Sequence, residues 1–217
     1  MSNSHESGPP DRPKRAFITV IDIRAHPGWW LLGLASVTMV LLWWVDAAPL
    51  LRYDRGLILR GEVWRLVTGH WVHGGFRHMA LNVVGAWIIA LLFTKTYSVR
   101  QWLFILAVGM AAIDGGFLAF EPQLQWYVGA SGVLHSALAA GAVAWWRVES
   151  RGMALALTAV MIGKLTWEQV HGALPFVGSM PVIVDAHLYG AIGGTVAAVL
   201  LAIVRRRSAG GASAARL

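Results

Sequence analysis

Residues 128–146 read VGASGVLHSALAAGAVAWW, a run without a single Asp, Glu, Lys or Arg and long enough for one α-helix to cross a bilayer. Reading it as a membrane span decides the fold, because comparable apolar runs occupy residues 29–51, 79–94, 102–120, 152–170 and 187–204. The run at 79–94 is short and is expected to begin a turn earlier, near Phe76, which draws Arg77 and His78 to the membrane boundary. The expectation is an all-α membrane protein, a bundle of six transmembrane helices. Composition agrees: 57% of residues are hydrophobic, 13% are charged and 12 are tryptophan, far from the balance of soluble domains.

Residues 1–28 are polar and proline-rich, without the apolar core and cleavage site of a signal peptide, and read as a disordered arm. The membrane domain then covers 29–204, and 205–217 form a flexible tail after Arg205-Arg206-Arg207. With the N-terminus inside, 12 of the 18 basic residues fall on that side, which puts both termini in the cytoplasm. Five arginines remain in or beside the long first connection, 52–77, which reads as interfacial or partly embedded. The net charge of +7 is that of cytoplasmic loops and implies no nucleic-acid partner. The absence of cysteine removes disulfides, thiolate metal sites and cysteine nucleophiles. Tryptophans at span ends (Trp29, Trp30, Trp43, Trp44, Trp145 and Trp146) fit an interfacial belt.

The polar residues inside the spans carry the chemistry. Spans two, four and six run in the same direction, so their N-terminal ends share one depth, and those ends hold His78 with Asn82, then Ser131, then His187. Each is costly in lipid unless paired or hydrated, so their common level implies a single wet cavity. His78 and Asn82 are i and i+4 on one face. Gly190 and Gly194 on span six, facing Gly132, Ser136 and Ala140 on span four, would let the two helices approach closely and bring Ser131 to His187. A serine hydroxyl needs a base to become a nucleophile, and a neutral imidazole suits that task. The oxyanion formed on attack needs donors, for which the Asn82 amide, the His78 ring and the Ser131 backbone N–H are candidates.

Four motifs in this order, Trp64-Arg65, His78-x-x-x-Asn82, Gly129-Ala130-Ser131-Gly132 and Ala186-His187-x-x-Gly190-x-x-x-Gly194, resemble the motif set of rhomboid intramembrane serine proteases. The patterns Arg52-Tyr53-Asp54-Arg55, Ser131-Gly132-Val133-Leu134-His135 and Gly163-Lys164-Leu165-Thr166-Trp167-Glu168 resemble the rhombosortase branch. The resemblance implies Ser131 as nucleophile and His187 as general base with no acidic third member. It also implies Asn82, His78 and Ser131 as oxyanion donors, no cofactor, and a multi-pass protein of a bacterial inner membrane. Substrates would be membrane-anchored, exported proteins ending in a glycine-rich signal, an apolar span and a basic tail.

Around this core, Gly129, Gly132 and Gly190 are expected to support the site. Trp64, Arg65 and His73 are expected to build the first loop. His135 either joins the site or bridges spans, and Asp114, beside Gly115-Gly116, marks a local break or a helix contact. Lys164 and Glu168, at i and i+4, read as a structural ion pair, and Asp185 as a helix cap. A transporter or channel lined by the same residues is the competing class, although no internal repeat supports it. A non-catalytic client-binding relative would lack the serine or the base. A histidine-based metal site lacks the usual ligand spacings, so no metal is expected.

Overall fold

The computed structural model describes residues 28–93, 96–149, 151–173 and 182–214. In chain order the elements are α1 (Gly28–Trp44), α2 (Ala48–Leu51), β1 (Tyr53–Asp54), α3 (Arg55–Leu59), α4 (Arg65–Thr68), α5 (Phe76–Phe93), α6 (Val99–Phe120), β2 (Trp126–Tyr127), α7 (Ser131–Val148), α8 (Arg151–His171) and α9 (Asp185–Ala214). Among the described residues, six long helices overlap the six apolar runs. Of these, α5, α6 and the Asp185–Arg207 stretch of α9 are long and apolar enough to cross a membrane, and α1 is a shorter apolar helix. Helix α7 is less apolar because it packs against α5, α6, α8 and α9, and its surface is Ala, Gly and Ser rather than the Leu and Ile that face lipid. Helix α8 carries Lys164 and Glu168.

The centre of the bundle is a close, parallel pairing of α7 with α9. A Cβ on Gly190 would run into the backbone of Gly132, and one on Gly194 into that of Ser136 one turn further on. A Cβ on Gly132 would in turn lie 2.7 Å from the Ala186 carbonyl. Helix α6 lies antiparallel across both: the fully buried Ser136 Oγ donates to the Ile105 carbonyl at 3.1 Å, and Ile113 reaches Gly132. Large apolar side chains point the other way, Trp30 of α1 and Val160 of α8 being exposed. Small residues at the α7–α9 contact are the pattern of helices packed in lipid, where close backbone approach replaces the hydrophobic effect as the source of association.

The first connection folds onto the end of the bundle where α7 and α9 begin. Asp54 caps α3 by accepting from the Leu57 amide at 3.1 Å. Arg55 donates to the carbonyls of Phe117 at 2.9 Å and Leu118 at 3.1 Å, satisfying the C-terminal end of α6. The buried Arg65 donates to Glu62 at 2.7 Å and to the Arg52 carbonyl at 2.9 Å, and Thr68 to the Leu51 carbonyl at 2.6 Å. Strand β1 pairs antiparallel with β2, Tyr53 opposite Tyr127 and Asp54 opposite Trp126. The loop is thereby fastened to the four residues that lead into Ser131.

Several expectations are corrected. The first apolar run is not one helix: the chain breaks after Trp44, Asp46 takes a left-handed φ of 49°, and α2 starts afresh around Pro49. Helix α6 passes through Asp114 and Gly115 without a break, because Asp114 is held by a partner outside the helix. Trp29 stacks on Trp87 and Trp145 packs against Phe93, so both are buried in the bundle and do not face outward like Trp30 and Trp44. Trp64 is largely exposed, leaving Arg65 and His73 as the buried members of the loop trio. Helix α9 continues through the three arginines to Ala214, over part of the stretch where a flexible tail was expected. Of the arm expected over 1–28, only Gly28 falls within the described residues.

Candidate active site

Ser131 is the first residue of α7, so its backbone N–H lies in the turn where helical amides have no intrahelical acceptor. The chain reaches it through Gly129, whose φ of +118° suits glycine and whose missing Cβ would sit 2.5 Å from the His78 ring. Tyr127 stabilises that turn by donating its hydroxyl to the Gly129 carbonyl at 2.7 Å. His187 sits in the first turn of α9, and the glycine contacts between α7 and α9 bring its Nε2 to 3.0 Å from Ser131 Oγ. Both His187 and Asn82 are buried, and Ser131 forms part of the wall of a cavity of about 300 Å³ that His78, Gln125, Trp126, Val182 and Ile183 also line.

Around the pair, His135 lies one turn along α7. Its ring stacks on that of His187, with centroids 4.1 Å apart and planes within 19°, and its Nδ1 is 2.7 Å from the Ser131 carbonyl. His135 thus meets His187 across the α7–α9 contact, a position that serves either reading, beside the site or bridging two spans. Asn82 donates to the His78 carbonyl at 2.9 Å, which leaves one amide hydrogen, and it is not among the residues lining the cavity. His78 lines the cavity and meets His73 edge-on, with centroids 5.0 Å apart. Burial, with His78 beside it, pushes the His73 imidazole down to about 3, so this loop histidine is neutral at physiological pH. Asp185 occupies the first turn of α9, where a carboxylate favours the helix dipole.

The residue that sequence reasoning missed is Glu168. The resemblance leaves the histidine without an acidic partner, yet Glu168 Oε2 lies 2.9 Å from His187 Nδ1 and 2.6 Å from Lys164 Nζ. The ion pair expected within α8 is present, but its carboxylate also faces the opposite nitrogen of the imidazole that meets Ser131. The signal was available: α8 runs opposite to α7 and α9, so a residue near its C-terminal end shares their starting depth. The ligating atoms of His135, Glu168 and His187 lie within 4.8 Å of one another, a spacing a metal ion could accept. The Lys164 ammonium already neutralises that carboxylate, and its charge opposes a cation beside it.

The chain matches the rhomboid domain family over residues 60–204. It is 32% identical over 103 residues, 47% of its length, to the "Rhomboid protease GluP" of Bacillus subtilis (strain 168), and the match covers 19% of that longer protein. The matched region runs from the end of α3 to the arginine cluster of α9 and contains every residue of the site just described, and the chain belongs to the rhomboid family, whose members are intramembrane serine proteases.

Proposed function

We propose that this chain is an intramembrane serine endopeptidase in which Ser131 attacks a peptide carbonyl and His187 acts as general base and then general acid. The observation that carries the reading is the 3.0 Å approach of His187 Nε2 to Ser131 Oγ at the wall of a cavity. His187 takes the hydroxyl proton as Oγ bonds to the carbonyl carbon; the oxyanion is met by the Ser131 backbone N–H, the His78 ring and the free amide hydrogen of Asn82. Collapse breaks the C–N bond while His187 returns the proton to the leaving amine, and water activated by the same imidazole releases the acyl group.

The substrate is a transmembrane or membrane-adjacent segment that enters laterally and unwinds before it can present a carbonyl. Unwinding exposes backbone polar groups in lipid, so segments that already contain glycine are the easier targets. On the rhombosortase-like motifs we assign, as the preferred clients, exported proteins whose C-termini carry a Gly-Gly signal, an apolar span and a basic tail, in a bacterial inner membrane crossed by six spans with both termini cytoplasmic. The test is co-expression of such a client with the wild-type chain, Ser131→Ala and His187→Ala. Processing is expected with wild type alone; equal processing in both variants rejects the reading. A fluorophosphonate that labels wild type and spares Ser131→Ala separates a protease from a transporter lined by the same side chains.

A further inference from the structure

We propose that Glu168 is a positioning residue for the nucleophile, so that Ser131, His187 and Glu168 act as a triad in which Lys164 is a fixed counter-charge. The inference rests on the serine-protease reading above and deepens it.

The Glu168 side chain is 3% exposed while that of Lys164 is 28% exposed, so the acid is enclosed where the lysine is not. An ion pair made only to neutralise Lys164 would not require a carboxylate to be buried against α9. Its Oε2 accepts from Lys164 Nζ at 2.6 Å and lies 2.9 Å from His187 Nδ1, and two charge-assisted hydrogen bonds are what a buried carboxylate needs to stay ionised.

A neutral imidazole carries one N–H. With Nδ1–H donated to Glu168, Nε2 holds the lone pair and faces the Ser131 hydroxyl, which is the form a general base requires. The other tautomer would place an N–H toward Ser131 and its Nδ1 lone pair 2.9 Å from the carboxylate, with the Lys164 ammonium further off at 3.5 Å, and the closer Glu168 disfavours it. The stacked His135 ring adds a flat wall that limits rotation of His187 about its side chain. During attack the Ser131 proton moves to Nε2, the imidazolium forms between Oγ and Oε2, and the carboxylate stabilises its charge while remaining unprotonated itself. The Lys164 ammonium, 3.5 Å from Nδ1, offsets part of that stabilisation.

The test uses the full chain in detergent micelles and reads the rate of Ser131 phosphonylation by a fluorophosphonate, together with the thermal midpoint. Glu168→Gln keeps the shape of the side chain and removes the charge. Its maximal labelling rate is expected to fall by on the order of 100-fold or more, with the probe concentration for half-maximal rate and the midpoint little changed. Glu168→Asp, which retains a carboxylate, is expected to recover much of the rate. In a His187→Ala background, Glu168→Gln is expected to add nothing, because the residue acts through the imidazole. If Glu168→Gln does not fold beside an unpaired ammonium, Lys164→Met/Glu168→Gln removes both charges and supplies the same measurement. A wild-type labelling rate in a folded Glu168→Gln or double variant overturns the triad, as does a further equal slowing in the His187→Ala background. Labelling of Ser131→Ala at the wild-type rate would instead overturn the serine-protease reading on which the triad rests.

Discussion

Two buried histidine–carboxylate pairs lie at the same end of this bundle, and their imidazoles face different surroundings. His187 meets Glu168 at 2.9 Å through Nδ1 and turns Nε2 to a hydroxyl 3.0 Å away at a cavity wall. His70 meets Asp114 through Nε2 at 3.3 Å to one oxygen and 3.4 Å to the other, packs edge-on against Tyr127, and has no hydrogen-bond partner for Nδ1 among the described residues. The second pair ties the first loop to α6. Residue types are the same in both places, so the pairing of an acid with an imidazole does not by itself make chemistry. What differs is the group on the far nitrogen and the space beside it.

The largest effects should come from exchanging the two histidines' fates. His187→Gln is expected to reduce peptidase activity by at least about 10⁴-fold with the thermal midpoint nearly intact, whereas His70→Gln should leave kcat close to wild type and cost about 1–3 kcal/mol of stability by leaving Asp114 unpaired. If His70→Gln abolishes activity in a folded protein, the contrast between the pairs fails. Next in size, Asn82→Ala is expected to lower kcat by about 10²–10³-fold if its free amide hydrogen reaches the oxyanion. A wild-type kcat would make Asn82 a purely structural partner of the His78 carbonyl and sharpen the site to His78 and the backbone N–H.

A third pair-like contact, His73 against His78, predicts a pH effect on stability rather than on chemistry. The folded-state pKa of His73 is held at about 3, below the ordinary value of 6.5, so the unfolded chain binds a proton that the folded chain does not. Stability from this source is complete above about 6.5 and is lost as pH falls toward 3; denaturation at pH 7 and pH 5 should show the loss, and His73→Gln should reduce it. The smallest expected effect is at the loop: Asp54→Ala removes the cap of α3 and should cost about 1 kcal/mol in melting experiments, with kcat preserved.

Much of the architecture was legible in the sequence because lipid forces backbone hydrogen bonds into helices, so an apolar run of sufficient length has one reading. The glycine and serine faces of 132, 136, 190 and 194 announced a close helix pair for an equally local reason: small residues at i and i+4 make a groove. Where the reading went astray, a contact from a distant segment decided the outcome. Asp114 beside two glycines read as a local break or a helix contact; the helix is intact, Gly116 lies against Tyr189 of α9, and His70, 44 positions earlier in the chain, meets the carboxylate. Glu168 looked paired and therefore accounted for by Lys164. The depth comparison that aligned Ser131, Asn82 and His187 used only the starts of the even-numbered spans, and the ends of the odd-numbered ones reach the same level. Both acids sit there, near the ends of α6 and α8.

By itself, the sequence determined a helical membrane protein, the candidate nucleophile and base, and the small-residue stripes that allow their helices to touch, since each of these depends on residues a few positions apart along one helix. Only the tertiary structure decided which imidazole nitrogen faces the hydroxyl, that a carboxylate stands behind it, and that one acid lies against the imidazole beside Ser131 while another ties the first loop to α6. Those outcomes depend on the rotation and offset of neighbouring helices to within about an ångström, the scale on which a hydrogen bond is made or lost.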